Sequence, residues 1–283
     1  MRTIYSIILY CLVPVVIVRL LIRSIWLRSY RRRWHERFGK LPDFSALRPV
    51  WIHAVSVGEV LAAVPLVRVL REPDPQLPII ITTTTPTGSE RVKVTFGHEV
   101  MHVYAPYDLP RVVNAFIRRV NPRVGIIMET ELWPNLLHEA RRYRVPLLLA
   151  NGRISDRSYK GYSKFPKLVA ATLSQFDFIA AQSEQDRERF IQLGAKPKSV
   201  QNFSSIKFDL ELSDEDHEAG AHVLNELGGN NRPILIAAST HKGEEIQVIK
   251  AFKTVLKKQP DTLLVLVPRH PDRFDSVAQL LAR

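Results

Sequence analysis

A layered α/β protein with parallel sheets, arranged as two domains behind an apolar N-terminal segment, is the fold class this sequence predicts. Three observations carry it. From residue 41 onward, short apolar, β-branched runs alternate with longer amphipathic stretches, the pattern of parallel strands joined by crossover helices. An acidic stretch ending in Gly228-Gly229-Asn230-Asn231-Arg232-Pro233 interrupts the alternation once, and a new strand-helix-strand series follows it. Ahead of both, residues 4–18 are uncharged and almost wholly apolar.

That first segment decides how the charge is read. The chain of 283 residues has a formal net charge of +12, which taken alone suggests a nucleic-acid partner. Residues 1–40 hold +8 of it, from nine basic residues against Glu36, so the excess is local. A basic run beside an apolar stretch fits anionic lipid headgroups better than nucleic acid, each such residue contributing about 1 kcal/mol near an acidic leaflet. Leu20, Leu21, Ile22, Ile25, Trp26 and Leu27 prolong the apolar run past Arg19, toward the roughly 20 residues that a full span needs. A cleaved signal peptide would carry its charge ahead of the apolar core, whereas here Arg2 precedes it and an arginine cluster follows. An uncleaved anchor, spanning or monotopic, with the domain behind it on the cytoplasmic face, is the expectation. A buried helix of the globular domain is the alternative. The single cysteine, Cys11, excludes a disulfide framework and a cysteine metal site within this chain.

After the anchor, strands are expected at 50–54, 78–85, 101–105, 124–129, 145–150 and 176–182, and beyond the acidic stretch at 233–239 and 262–268. Helices fill the gaps; 61–71 and 184–193 show helical apolar spacing, the second with Gly194 as its stop. The expected organisation is an anchor and basic segment over 1–40, a first domain over 41–205 and a second over 206–283. Two parallel strands do not close a layered domain, so the second is expected to be incomplete.

Ligands of open α/β sheets bind outside the carboxyl ends of the strands, where loops lead into helix N-termini. Five such exits carry chemistry. His53-Ala54-Val55-Ser56-Val57-Gly58-Glu59 places Glu59 at the first, as a first-turn acid complementing the helix dipole or as a general base kept ionised by it. Met128-Glu129-Thr130-Glu131-Leu132-Trp133-Pro134-Asn135 places Glu129 and Glu131 at another, as a carboxylate pair or as a cap with helix-start packing. Asn151-Gly152-Arg153 opens a stretch to Lys167 in which Arg153, Arg157, Lys160, Lys164 and Lys167 alternate with Tyr159, Tyr162 and Phe165, a face for a phosphorylated amphiphile or simply a solvated one. In the second domain, Ala238-Ser239-Thr240-His241-Lys242-Gly243-Glu244-Glu245 offers hydroxyls and backbone N–H groups to a phosphate, and Pro268-Arg269-His270-Pro271 a phosphate clamp or a surface ion pair. Lys207, in Lys207-Phe208-Asp209 at the domain junction, is placed to neutralise an anion or to pair with Asp209. Dinucleotide, P-loop and zinc-protease motifs are absent, and the histidines are too dispersed to assert a metal site.

In order and spacing, the anchor and these motifs resemble the 3-deoxy-D-manno-octulosonic acid (Kdo) transferase family over essentially the whole chain. The resemblance implies a GT-B glycosyltransferase with two Rossmann-like domains, the acceptor, a lipid A precursor (lipid IVA), held by the first and the donor CMP-Kdo mainly by the second, working at the bacterial inner membrane with inversion and without metal or cofactor. It puts Glu59 where the family has its catalytic base, Glu129 and Lys207 where groups assist the transition state, and Pro268-Arg269 in the CMP site. Ser56, Gly58, Glu131, Asn151, Arg153, Ser239, Thr240, His241 and His270 are the further substrate-binding candidates. The sequence departs where the family usually has a glycine before Lys-Phe-Asp, having Phe203-Ser204-Ser205-Ile206 instead. Later donor loops and a closing helix of the family are not in the sequence, so little transfer by this chain alone is expected. The alternatives are a GT-B transferase using another nucleotide sugar and an inactive lipid-binding remnant.

Overall fold

Seven strands, β1 (Val50–His53), β2 (Ile79–Thr83), β3 (Met101–Tyr104), β4 (Val124–Met128), β5 (Leu147–Gly152), β6 (Phe178–Ala181) and β7 (Val200–Asn202), form one sheet in the order β3-β2-β1-β4-β5-β6-β7. Every pairing in it is parallel. The computed structural model describes residues 1–26, 33–209, 214–228, 232–270 and 273–282. The expectations resting on Arg28, Arg31, Arg32, Gly229, Pro271 and the Lys207 side chain lie outside what is described.

The chain divides into two compact units, Met1–Leu210 and Glu211–Arg283. Residues 206–209 therefore go with the first unit. They form a 3-10 turn, Ile206–Asp209, held by Asn151, whose Oδ1 accepts from the Ile206 N–H at 3.2 Å.

Both faces of the seven-stranded sheet are covered, so its strands read as continuous apolar runs. Successive strand residues point to opposite faces. Trp51, Ile80 and Ile127 join one buried cluster and Ile52, Ile79 and Ile126 the other. Trp51 is fully buried beside Gly125, where an added Cβ would lie 2.9 Å from Trp51 Cε3 and 2.8 Å from Leu147 Cδ2. The absence of a side chain at 125 makes room for the indole.

Helices of the first unit occupy the crossovers: α3 (Val57–Ala62), α4 (Val64–Arg71), α5 (Pro86–Phe96), α6 (Pro110–Val120), α7 (Pro134–Arg142), α8 (Asp156–Tyr162), α9 (Pro166–Leu173) and α10 (Glu184–Gln192). The single helix expected over 61–71 is two, broken at Ala63, because Pro65 has no N–H to continue the ladder and instead lies in the first turn of α4. Proline opens α5, α6, α7 and α9. Gly194, at φ +103°, stops α10 as expected. Strand β7 was not expected from sequence; it has three residues, of which only Val200 is buried.

The apolar N-terminal segment is a helix, α1 (Arg2–Trp26), long and apolar enough over Arg2–Ile22 to cross a membrane. The short helix α2 (Trp34–Arg37) covers the β3 edge of the sheet. There Glu36 accepts the Tyr104 N–H at 2.8 Å and Arg33 Nε at 2.6 Å, and Arg33 also donates to the His102 carbonyl at 2.6 Å. Satisfying an edge strand in this way removes a template for aggregation. It also turns two basic residues expected to meet lipid toward the protein: Arg37 is buried with its guanidinium 4.1 Å from the Tyr104 ring centre.

The second unit comprises α11 (Asp214–Glu226), β8 (Ile234–Thr240), α12 (Glu244–Leu256), β9 (Leu263–Pro268) and α13 (Phe274–Leu281). Its two strands pair in parallel. The acidic stretch expected as a junction carries α11.

Candidate active site

The sheet order reverses between β1 and β4, the strands on whose two sides the crossovers run in opposite directions. The exits of β1, β4 and β5, adjacent strands, carry the first-unit candidates Ser56, Gly58, Glu59, Glu129, Glu131, Asn151 and Arg153.

After β1 the chain turns at Val55, whose carbonyl accepts from the Thr84 N–H at 3.2 Å and from Thr84 Oγ1 at 2.9 Å. Ser56 then caps α3: its hydroxyl accepts from the Glu59 N–H at 3.3 Å and donates to Glu59 Oε1 at 2.8 Å. Glu59 Oε2 accepts the Val55 N–H at 2.8 Å. This is a capping box whose acid reaches one residue further back than usual. Glu59 is only 4% exposed. Burial pushes its carboxyl up to about 7, the charges of Glu131 and Glu129 add to the rise, and the bonds from Val55 and Ser56 oppose it. The helix dipole was expected to keep this group ionised at neutral pH. Desolvation and a neighbouring like charge outweigh it, leaving the group near half ionisation there. Gly58 is exposed, and a Cβ added to it would meet only Ser56 Oγ, at 3.9 Å, so the space in front of it is open.

Glu129 follows β4 in the left-handed region, φ +53°, with its N–H donated to the Ala150 carbonyl at 2.8 Å. A side chain there costs roughly 1–2 kcal/mol. Asn151 on the next strand has φ +57°, so left-handed residues stand side by side at two neighbouring exits. Strain of this kind concentrates where a function requires it. Glu131 accepts the Trp133 indole N–H at 2.7 Å, and burial together with the Glu129 charge raises its pKa. Trp133 stands edge-on to His53, ring centres 4.7 Å apart. His53 is fully buried, its Nδ1 lies 2.8 Å from Thr82 Oγ1, and burial lowers its pKa to about 3, so it is a neutral wall and not a proton donor.

Strand β5 runs two residues beyond its expected end and takes Asn151 and Gly152 into the sheet. Asn151 is buried, and its Nδ2 has no partner among the described residues. Arg153 is exposed, with its carbonyl bonded by the Thr130 hydroxyl, which ties the β4 and β5 exits together.

In the second unit, Ser239 has φ +61°, Thr240 is buried, and the Arg269 N–H donates to the Thr240 carbonyl at 3.0 Å. His241 and His270 stand with ring centres 6.2 Å apart, and Pro268 ends β9. The Arg269 side chain is exposed. The backbone N–H groups expected to be open to a phosphate are occupied: His241 donates to Glu244 Oε2 at 2.7 Å and Gly243 to Glu245 Oε2 at 3.1 Å.

Two residues outside the candidate set support the first-unit site. Asp108, which precedes α6, caps α7 from a distance, accepting from the N–H groups of Asn135 at 3.1 Å and Leu136 at 2.6 Å. Trp133 joins Glu131 to His53. No short-range pattern marks Asp108, whose role depends on contacts distant in sequence.

Residues 32–210 match the sequence profile of the family described as 3-deoxy-D-manno-octulosonic-acid transferase (kdotransferase). The chain belongs to the Kdo transferase family. A Kdo transferase of Haemophilus influenzae is 43% identical over all of this chain and 66% of its own length, and one of Bordetella pertussis is 36% identical over 91% and 63%. The chain thus spans just under two thirds of the length of these two relatives. Among solved structures, a UDP-GlcNAc 2-epimerase from Neisseria meningitidis superposes with a TM-score of 0.58 at 12% identity, over 83% of this chain and 69% of that one. A putative UDP-N-acetylglucosamine 2-epimerase from Listeria monocytogenes gives 0.53 at 18% identity, over 83% and 66%. These likenesses concern the fold alone, the α/β architecture of GT-B proteins, and this Kdo transferase family member has it with an apolar N-terminal helix added.

Proposed function

We propose that the protein transfers Kdo from CMP-Kdo to a primary hydroxyl of a lipid A precursor (lipid IVA), with inversion at the anomeric carbon and without metal or cofactor, on the cytoplasmic face of the inner membrane. The observation that carries the proposal is Glu59, a buried carboxyl whose pKa is raised to about 7, at the topological switch point. A general base works best when its pKa lies near the operating pH. In this reading Glu59 removes the proton of the acceptor hydroxyl as its oxygen attacks the anomeric carbon of Kdo, and the bond to CMP breaks on the opposite face. Glu129 and Glu131 hold the base's pKa up and orient the acceptor, with Ser56, Gly58, Asn151 and Arg153 lining its place. Lys207 and Arg269 offset the negative charge of the donor carboxylate and phosphate, the kind of electrostatic contribution that often dominates group transfer. Ser239, Thr240, His241, Pro268 and His270 complete the CMP site.

The test is a transfer assay with CMP-Kdo and a tetra-acylated lipid A precursor. It is run on this chain and on a form extended by the C-terminal segment of a relative. Kdo transfer by the extended form, reduced more than 100-fold by Glu59→Gln without loss of folding, supports the reading. Near-normal turnover of that variant removes Glu59 as the base, and no transfer by a well-folded extended form removes the activity.

A further inference from the structure

Helix α1 is inverted with respect to a membrane span. Three of its polar residues, Arg2, Tyr5 and Ser6, face the protein: the Tyr5 hydroxyl donates to Asp108 Oδ2 at 2.9 Å, and Asn135 Oδ1 lies 3.0 Å from Ser6 Oγ and 3.3 Å from Arg2 Nη1. Ser6 is buried near one end of the helix and Leu20 near the other. Ile4, Ile8, Val15, Val18 and Ile22 are all more than half exposed along the opposite face. A helix docked along its length on a polar domain, with its apolar face outward, has the geometry of an interfacial helix.

The docking leaves space on both flanks. On one, an apolar cleft of about 220 Å³ lies between Leu9, Val13 and Val16 of α1 and Phe38, Tyr107 and Trp133. On the other, a cleft of about 320 Å³ lies between Ile4 and Ile8 and the residues Leu132, Tyr162, Phe165 and Leu168. Exposed Lys164 and Lys167 adjoin the residues lining this second cleft. Under the C-terminal half of α1 a third space, of about 310 Å³, differs in character: Arg19 and Arg37 enter it with Thr84 and Thr85. Both guanidinium charges act on the Tyr107 hydroxyl at its wall, pulling down a pKa that burial raises. Val16, Tyr107 and Trp133 line this basic space and the first apolar cleft alike. Trp133, which lines both of these, donates its indole N–H to Glu131 Oε2 at 2.7 Å.

We infer that α1 lies in the plane of the membrane and forms one wall of a site for a phosphorylated, acylated glycolipid, whose chains enter the flanking apolar clefts and whose phosphate sits between Arg19 and Arg37. This rests on the acceptor reading above and adds the residues that select the acceptor. The outward face of α1 lies in the leaflet that supplies the chains, and the arginines complement the phosphate.

Two measurements test it. Positions 4, 11 and 18 fall on one exposed stripe of α1 at seven-residue spacing, and Cys11 is the only cysteine. Spin labels are placed at Cys11, and at Ile4→Cys and Val18→Cys in a Cys11→Ser background, in the full chain bound to vesicles of phosphatidylethanolamine and phosphatidylglycerol. The expected result is the same shallow depth at all three. A deep position 11 between shallow 4 and 18 overturns the in-plane helix whether or not Kdo is transferred. Binding of the tetra-acylated bisphosphorylated disaccharide is then compared with its deacylated and dephosphorylated forms and with inorganic phosphate. Leu9→Trp should weaken the acylated ligand at least 10-fold. Arg19→Gln should weaken the phosphorylated ligand at least 10-fold and the dephosphorylated one little, while inorganic phosphate does not compete. Equal binding of all forms, or binding indifferent to both substitutions in variants with unchanged thermal unfolding, overturns the site. Intact, substitution-sensitive binding without transfer would count against the transferase reading and leave this one standing.

Discussion

The Ser56 hydroxyl and the Glu59 carboxylate are bonded to each other at 2.8 Å, so a residue that caps a helix also stabilises the ionised form of the proposed base. Replacing Ser56 by Ala removes both effects. The variant is expected to lose about 1 kcal/mol of stability, the usual cost of a lost N-cap. It should also move the Glu59 pKa further upward. Urea denaturation reads the first and the pH profile of transfer the second; an unchanged profile would mean that the bond does not reach the reacting group.

Glu131 acts on Glu59 through its charge. In Glu131→Gln that repulsion disappears and the Glu59 pKa falls from about 7 toward its ordinary 4.5. Because a base works only when ionised, the rising acidic limb of kcat/KM should shift to lower pH in this variant. A limb that stays in place would assign it to another group.

The same carboxyl makes stability depend on pH. Between 4.5 and about 7 the folded chain holds a proton that the unfolded chain has released. Glu59 therefore adds stability that is lost as pH rises through that window, on the order of 3 kcal/mol in all. The Glu59→Gln variant should flatten this part of the curve in denaturant titrations at successive pH values. A slope that persists unchanged would point to other carboxyls.

At Gly125 any side chain collides with the fully buried Trp51 and with Leu147. Gly125→Ala is expected to cost about 2 kcal/mol by overpacking. Thermal unfolding measures it, and wild-type stability would show that the indole can move aside.

Ser204 stands at φ +63° in the stretch that leads into Lys207-Phe208-Asp209. Its N–H donates to Asn202 Oδ1 at 3.1 Å, a local turn that helps hold the conformation. Ser204→Gly should leave stability within about 0.5 kcal/mol of the native chain, because relief of strain and added unfolded-state freedom oppose each other. Ser204→Val should lose roughly 1–2 kcal/mol. Equal stability of the two variants would show that the turn imposes no conformational demand.

Strands were legible where the apolar run was long enough to cross a buried sheet, as in β1, β2 and β4. β7 was not, because one buried valine in three residues makes no pattern. The capping box Ser56-Val57-Gly58-Glu59 is visible in the sequence as serine followed three residues later by glutamate. The rise of the Glu59 pKa was hidden. It depends on burial and on Glu131, 72 positions away in the sequence. The left-handed turn at Asn151 is hinted at by Asn-Gly, while nothing at Glu129 announces one. The Tyr5–Asp108 bond links residues 103 apart, and no periodicity in α1 distinguishes an inward tyrosine from one at a membrane interface.

Four helices of the first unit begin at a proline, three of them after the exits of β2, β3 and β4. Proline fixes its own φ and steers the preceding residue away from helical geometry, so at each of these corners the change from extended to helical backbone is written into covalent structure. The denatured chain is already biased toward those corners and loses less freedom in making them. The rim of the cleft is consequently stiff before any packing occurs, and the packing energy of α5, α6 and α7 remains available to hold neighbouring residues such as Glu129 in a conformation they would not adopt alone.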